Sequence, residues 1–208
     1  MESGLIKEIK ALQKSKIRQK VIKRLKEFEG FKRKNTGQWF SELCFCLLTA
    51  NSKARTALKI QDELGVEGFC KCAAGDVRKC IIKYKHRFHN NKTKFIVGAR
   101  KHIDIKSKLR GLSDFDAREW LVKNIKGLGY KEASHFLRNV GYKNLAILDR
   151  HILNLMEEGG LIKKPKSLTR KKYLEIEKKF SKMAKSFNII PAELDLYMWY
   201  MKAGEVLK

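Results

Sequence analysis

The sequence predicts an all-α fold, and three observations support that prediction. Only two prolines occur among the 208 residues, Pro165 and Pro191, so few segments are prevented from forming helices. Apolar residues recur at i, i+3 and i+4 along most of the chain, which is the spacing of amphipathic helices. Glycines stand where several of these segments end, as at Gly141 and Gly160. The length allows one large domain or two small interlocked ones.

The first half of the chain predicts five helical segments. The first is long, basic and amphipathic, whereas the second is almost wholly apolar and should be a buried helix. Asp76 is a candidate cap for the short fourth segment. The five segments cover residues 5–28, 40–48, 53–64, 76–84 and 93–105.

The second half predicts five more helices, covering residues 116–125, 131–140, 149–158, 168–187 and 191–203. The first of them is expected to end at Gly127. No internal repeat and no flexible linker is visible. We therefore expect a single 1–208 unit of two interlocked helical lobes. A central lobe covers about 35–125, and a second lobe combines 1–34 with 126–208.

The charge balance indicates a polyanionic partner. The chain has 47 Lys and Arg against 22 Asp and Glu, a formal net charge of +25. Lys and Arg displace the counterions condensed on nucleic acid, so DNA or RNA is the natural candidate. An anionic membrane surface is one alternative. A lysine-rich thermophile surface is another, although such surfaces are also rich in Glu, and here Lys greatly outnumbers Glu.

The chain carries no sign of membrane insertion or export. No apolar run approaches the roughly 18 residues that span a bilayer. The N-terminus also lacks the basic-then-apolar order of a signal peptide. We expect an intracellular, cytoplasmic protein that associates with the nucleoid, that does not bind membranes and that acts as a monomer.

The five cysteines predict core thiols rather than disulfides. Their number is odd and a reducing compartment is expected, which disfavours a disulfide framework. Cys44 and Cys46 lie in the apolar helical run. A metal role for Cys70, Cys72 and Cys80 is an alternative, but C-x-C is not the usual spacing of a zinc site.

Two glycines and a lysine form the first candidate site. Gly127 and Gly129 lie between two predicted helices, where backbone N–H groups could approach a phosphate closely. The alternative is an ordinary helix–helix turn. Lys131 falls in the first turn of the second helix. There the helix dipole and partial burial would lower its pKa and favour the neutral amine, the form that attacks carbonyl-like carbons. The alternative is one more solvated lysine.

An apolar stretch, 146–148, leads to Asp149 at the start of another predicted helix. Asp is a good N-cap, and that structural role is one interpretation. The other is a carboxylate beside Lys131 that steers proton transfer or stabilises a developing cationic sugar.

These segments together resemble the helix-hairpin-helix DNA glycosylases. Gly-Leu-Gly-Tyr-Lys at 127–131 and Leu-Asp-Arg-His-Ile at 148–152 match the family's hairpin, its lysine and its downstream Asp in order and spacing. The apolar pair of segments at 43–64 resembles its early helices. Lys126 stands where the family usually has proline. The resemblance implies two helical lobes with the hairpin motif between them and the active site in the cleft.

The resemblance also implies a chemistry. In bifunctional members the lysine attacks C1′ of a flipped nucleotide, forms a Schiff base and permits strand nicking by β-elimination, and Asp assists. Lys131 and Asp149 would take these roles, and Gly127, Gly129, Lys126 and His151 would contact DNA. No cofactor is required, although the family hairpin often binds a monovalent cation through backbone carbonyls, here over 125–129.

The chain's C-terminal half narrows the resemblance. Endonuclease III-like members carry four cluster-binding cysteines after the catalytic Asp. No cysteine follows Cys80 here, so no iron–sulfur cluster is expected at that site. The length and the C-terminal segment resemble the second type of 8-oxoguanine glycosylase, whose final lysine carboxylate helps to read the base. This implies base recognition by Trp199, Asp195 and Lys208. The alternatives are a core aromatic and a frayed terminus.

The polar segment 86–92 is expected to fill the gap left by an extruded base. By the resemblance, Arg87 would contact the orphaned cytosine and Phe88 would enter the base stack. The alternative is a basic loop with a buried Phe88. The expected partner is double-stranded DNA with a damaged base. Two other functions stay open: a glycosylase/lyase for another lesion, and a non-catalytic helix-hairpin-helix DNA-binding protein.

Overall fold

The computed structural model describes residues 4–206 and 208, and helices account for all regular secondary structure in these residues. The all-α prediction is confirmed. The chain divides into two units, one formed by Arg33–Val140 and the other by Met1–Lys32 with Gly141–Lys208. None of the helices within the described residues is long and apolar enough to cross a membrane.

The middle unit is built from seven α-helices and a short 3₁₀ turn. They are α3 Thr36–Thr49, α4 Ala54–Lys71, α5 Ala74–Lys83, α6 His89–Ala99, the 3₁₀ turn Arg100–His102, α7 Ile105–Lys108, α8 Asp114–Asn124 and α9 Tyr130–Asn139.

Helix α3 is the central helix of this unit. Asn35 and Gln38 form a reciprocal capping box, because the Gln38 N–H donates to Asn35 Oδ1 at 2.9 Å and the Asn35 N–H to Gln38 Oε1 at 3.1 Å. Every residue of α3 from Trp39 to Thr49 is buried. Its buried Glu42 accepts hydrogen bonds from Asn139 Nδ2 at 2.7 Å and Gln61 Nε2 at 3.3 Å, which ties α3 to α9 and α4.

The terminal unit comprises five helices. They are α1 Gly4–Gln13, α2 Ile17–Phe31, α10 Arg150–Glu158, α11 Arg170–Ser186 and α12 Pro191–Ala203. Val21 and Phe28 of α2 pack with Leu196 and Tyr197 of α12 in its core. The first and last segments of the chain therefore share a hydrophobic core.

Several predicted boundaries differ from the structure. The segment 5–28 is two helices, because Ser15 starts a turn: its Oγ donates to Leu12 O at 2.8 Å and accepts from the Ile17 N–H at 3.1 Å. Helix α8 begins one residue after its N-cap Ser113 and ends at Asn124, before Gly127. Ala73 occupies the N-cap of α5, so Asp76 lies within the first turn instead of capping it.

The predicted lobe boundary at 125/126 lies at 140/141 in the structure. Helix α9 groups with the middle unit because its side chains contact that unit. The Tyr130 hydroxyl donates to the Glu119 carboxylate of α8 at 2.6 Å. The Phe136 ring packs edge-on against Trp39 of α3, with ring centroids 6.1 Å apart.

Candidate active site

The hairpin between α8 and α9 is held by backbone geometry and by one aromatic ring. The Leu128 N–H donates to Ile125 O at 3.2 Å, and both of these side chains are buried. Gly127 has a φ of +96°, and a Cβ there would lie 2.7 Å from Cγ of Phe95. Gly127 therefore meets two conditions that only glycine satisfies. Gly129, with extended backbone, is the N-cap of α9.

Lys131 lies in the first turn of α9 and is not a freely solvated lysine. Its side chain is 29% exposed, and its Nζ lies 3.0 Å from Oε1 of Glu132. The Glu132 side chain is only 14% exposed. Its other carboxylate oxygen lies 3.2 Å from the position that a Cβ on Gly129 would take. Glu132 thus folds back over the start of α9, where an anion is favoured by the helix dipole.

A second lysine lies beside this pair. Lys92 of α6 is 4% exposed, and its Nζ donates to Leu47 O at 2.6 Å. Burial lowers the pKa of Lys92 to about 8, Glu132 acts in the opposite direction, and the like charge of Lys131 lowers it further.

Neither Glu132 nor Lys92 is among the site residues predicted from the sequence. An acidic residue in the first turn of a predicted helix is a local signal that points to Glu132. No local signal distinguishes Lys92 from the many other lysines, because its burial arises only from tertiary packing.

Asp149 lies in the terminal unit as the N-cap of α10. Its Oδ1 accepts from the Ile152 N–H at 2.8 Å, so the capping interpretation is confirmed. The buried segment before it is fixed by two residues of α11: the Tyr173 hydroxyl donates to Ala146 O at 2.7 Å, and Glu177 Oε1 accepts from the Ala146 N–H at 3.0 Å. The segment that leads to Asp149 is therefore held in place by hydrogen bonds from α11.

The structure brings His151 and Trp199 together in the terminal unit. Their rings meet edge to face with centroids 5.7 Å apart. Trp199 is half-buried, and its indole N–H, itself buried, has no hydrogen-bond partner within the described residues. Asp195, one turn earlier on α12, is buried. Trp199 is thus neither wholly a core residue nor fully exposed.

The end of the chain is partly tethered. Arg24 Nη2 donates to Val206 O at 3.3 Å, and Lys208 is partly exposed and makes contacts of its own. Leu207 lies outside the described residues. The carboxyl end is therefore not a freely extended tail.

In the middle unit, the segment before α6 presents Arg87 and Phe88 as neighbours. The Arg87 guanidinium lies 4.5 Å above the Phe88 ring, with Arg87 exposed and Phe88 half-buried. His86 anchors the segment: its Nε2 lies 2.9 Å from Leu48 O and its Nδ1 accepts from the Phe88 N–H at 3.3 Å. Lys126, at the hairpin, is exposed.

The two cysteines that lie in the apolar helical run occupy the core, as predicted. Cys44 and Cys46 are free and buried, and burial raises the pKa of the Cys44 thiol well above its ordinary value. Within residues 4–206 and 208, no three side chains of His, Cys, Asp and Glu gather into a group that could hold a metal ion.

A family model described as 8-oxoguanine DNA glycosylase matches residues 21–189, which is most of the chain. The chain belongs to this family. The predicted resemblance is thereby confirmed, and the match includes both the hairpin lysine and Asp149. Trp199 and Lys208 lie beyond the matched residues.

Curated relatives and solved structures of the family cover nearly the whole chain. The 8-oxoguanine DNA glycosylase/AP lyase of Methanocaldococcus jannaschii is 46% identical over 98% of this chain and 99% of its own length. That of Korarchaeum cryptofilum is 43% identical, over 98% of each chain. The crystal structure of the Methanocaldococcus jannaschii glycosylase/lyase, in complex with a 15mer DNA containing 8-oxoguanine, is similar with a TM-score of 0.95 over 98% of this chain and 99% of that one.

Proposed function

We propose that this chain excises 8-oxoguanine from duplex DNA and then nicks the strand as an AP lyase. The observation that carries the proposal is the position of Lys131, a partly buried amine two residues after the Gly-Leu-Gly hairpin. The enzymes named in the comparisons act on this base, and the family membership of the chain extends that activity to it. A net charge of +25 suits a DNA partner.

Lys131 is the nucleophile in this proposal. Its neutral amine attacks C1′ while the C1′–N9 bond breaks, and the departing base takes up a proton. The nitrogen loses a proton and the sugar ring opens, which leaves a Schiff base between Nζ and C1′. Removal of a C2′ proton then expels the 3′ phosphate by β-elimination, and water hydrolyses the Schiff base. Asp149 supplies the carboxylate that stabilises the cationic sugar and moves protons.

The hairpin is the proposed DNA anchor. The backbone N–H groups of Gly127 and Gly129 bind a phosphate in this proposal, because the helix dipole at the start of α9 favours an anion. Exposed Lys126 adds charge, and His151 contacts DNA from α10. A monovalent cation bound by backbone carbonyls of 125–129 is part of this proposal, as the resemblance of the hairpin implies.

Base recognition is assigned to the C-terminal segment. Trp199 stacks on the extruded base, and the Lys208 carboxylate and Asp195 read its polar edge. 8-Oxoguanine has an N7–H donor where guanine has an acceptor, so an acceptor in the site accepts the lesion and leaves guanine with an unpaired buried group. Extension of the chain past Lys208 should weaken lesion discrimination more than duplex binding, measured with matched lesion and undamaged duplexes. Unchanged selectivity would contradict the role of the carboxylate.

Filling of the gap that the extruded base leaves in the duplex is assigned to the segment before α6. Phe88 enters the base stack and Arg87 donates to the orphaned cytosine. The guanidinium of Arg87 lies over the ring of Phe88. This contact supports the assignment, because an aromatic ring and a cation then lie side by side in the same segment.

Borohydride trapping on duplexes that each carry one lesion tests the proposal. We expect a covalent protein–DNA adduct with the 8-oxoguanine duplex and none with Lys131→Gln, whose duplex binding should persist. An adduct that survives this substitution would refute Lys131 as nucleophile. Equal cutting of every lesion would instead favour a broader glycosylase, and binding without any adduct would favour a non-catalytic helix-hairpin-helix protein.

A further inference from the structure

Lys92 is a buried cation whose position is determined by the end of α3. Its ammonium donates to Leu47 O, one of the last four carbonyls of α3, which have no partner within the helix. The negative end of the helix dipole favours a cation there. Burial opposes the charge, which is why the pKa of Lys92 falls to about 8. At neutral pH the side chain therefore remains mostly charged in a site with little water.

Helix α6 also lies directly against the hairpin. Phe95, one turn after Lys92, covers Gly127 so closely that no side chain fits there. Lys92 and Phe95 thus share a helix face, and that face meets the hairpin and the start of α9. Glu132 and Lys131 are the groups of α9 whose charges affect Lys92. His86, on the segment before α6, is the other titratable group coupled to it.

We infer that Lys92 is a positioning residue that acts through Lys131, disfavouring protonation of the nucleophile and offsetting the opposing charge of Glu132. The inference rests on the proposed function, in which the neutral amine of Lys131 attacks C1′. The 3.0 Å contact with Glu132 holds the Lys131 amine in place and puts a negative charge beside it. A second cation nearby favours the neutral form, which is one known way of activating a lysine nucleophile.

The two charges have opposite effects that can be measured separately. Loss of the Lys92 charge should make Lys131 harder to deprotonate, whereas loss of the Glu132 charge should make it easier. Because the pKa of Lys92 is about 8, its ammonium is charged at neutral pH and loses its charge as the pH rises above that value. Its effect on Lys131 is therefore present at neutral pH and is lost at alkaline pH.

The test uses the full chain and the rate of borohydride-trapped adduct formation from pH 6 to pH 10 under single-turnover conditions, with an abasic-site duplex as substrate. We expect Lys92→Met to move the midpoint of the profile upward by about one pH unit, which is about a tenfold loss of rate at neutral pH with little loss at the alkaline plateau. Glu132→Gln should move the midpoint downward. An unchanged midpoint in either folded variant would overturn the inference.

Thr49→Val is the matched control for damage to the end of α3. The Thr49 hydroxyl donates to Cys46 O at 2.8 Å, so its loss weakens the same helix end without removing a charge. We expect a lower melting temperature and an unmoved midpoint. A midpoint that shifts in this control as in Lys92→Met would also overturn the inference. Failure of the proposed function is distinguishable, because then either the unsubstituted chain forms no adduct or Lys131→Gln still forms one.

Discussion

The ring of Phe95 lies against Gly127, at the point of the hairpin where φ is +96°. A side chain at residue 127 would meet both a strained backbone and an occupied space. The hairpin therefore keeps its shape through contact with α6 as well as through its own hydrogen bond.

Gly127→Ala should destabilise the protein by about 2–4 kcal/mol, from backbone strain together with the clash against Phe95. Urea unfolding measures the change, and duplex binding should weaken in parallel. Gly98→Ala is the matched control, because Gly98 lies inside α6 with open space around it. There alanine should stabilise by about 0.5–1 kcal/mol. Equal stabilities of the two variants would contradict the packing argument.

Asp149 has a structural and a proposed chemical role, and two substitutions separate them. Asn caps a helix as well as Asp does, so Asp149→Asn should leave stability nearly unchanged. Asp149→Ala should lose about 1 kcal/mol as the hydrogen bond from the Ile152 N–H is lost. Both variants should lose most adduct formation if the carboxylate acts in the reaction. Full activity in Asp149→Asn would leave only the capping role.

Trp199→Ala should weaken binding of an 8-oxoguanine duplex by about 1–3 kcal/mol through the loss of stacking. Binding of the undamaged duplex should change much less, and Trp199→Phe should recover part of the affinity. Thermal unfolding of each variant is the control, since the ring also packs against His151. If affinity for both duplexes falls equally along with stability, Trp199 is a core residue.

Acid should weaken the fold through His86. The N–H of Phe88 donates to Nδ1, so the neutral ring carries its proton on Nε2 and donates to Leu48 O. Burial lowers the pKa of His86 below its usual 6.5. Below about pH 6.5 the unfolded chain therefore binds a proton that the folded chain does not, and stability falls as the pH drops.

Urea unfolding at about pH 7.5 and about pH 5.5 measures this loss. Gln can form similar hydrogen bonds but does not titrate, so His86→Gln should show a smaller difference between the two pH values. An equal difference in the two proteins would assign the acid sensitivity to other groups.

The parts of the fold that local chemistry specifies were predictable from the sequence. Pro191 opens α12 and Asp149 caps α10, and both boundaries match the structure. The turn at Ser15 was missed, because the apolar spacing continues through it while the side chain diverts the backbone. The boundary between units was also missed, since contacts such as Tyr130 with Glu119 depend on which helices pack together.

The candidate site also combines features that local sequence patterns predict with features that depend on tertiary packing. Lys131 was distinguished by its place after two glycines, which is a local pattern. Lys92 and Glu132 are part of the same charge cluster, but a lysine is recognised as buried only after α6 and α3 have packed. Local patterns therefore point to the proposed nucleophile and to the adjacent Glu132, whereas tertiary packing buries Lys92.

The division of the chain has a consequence for how it is made on the ribosome. The unit Arg33–Val140 is continuous, so it can complete its core while the later helices are still being synthesised. The core that joins Val21 and Phe28 to Leu196 and Tyr197 must wait for the final helix. The apolar face of α2 therefore remains without its α12 partner until α12 has been synthesised.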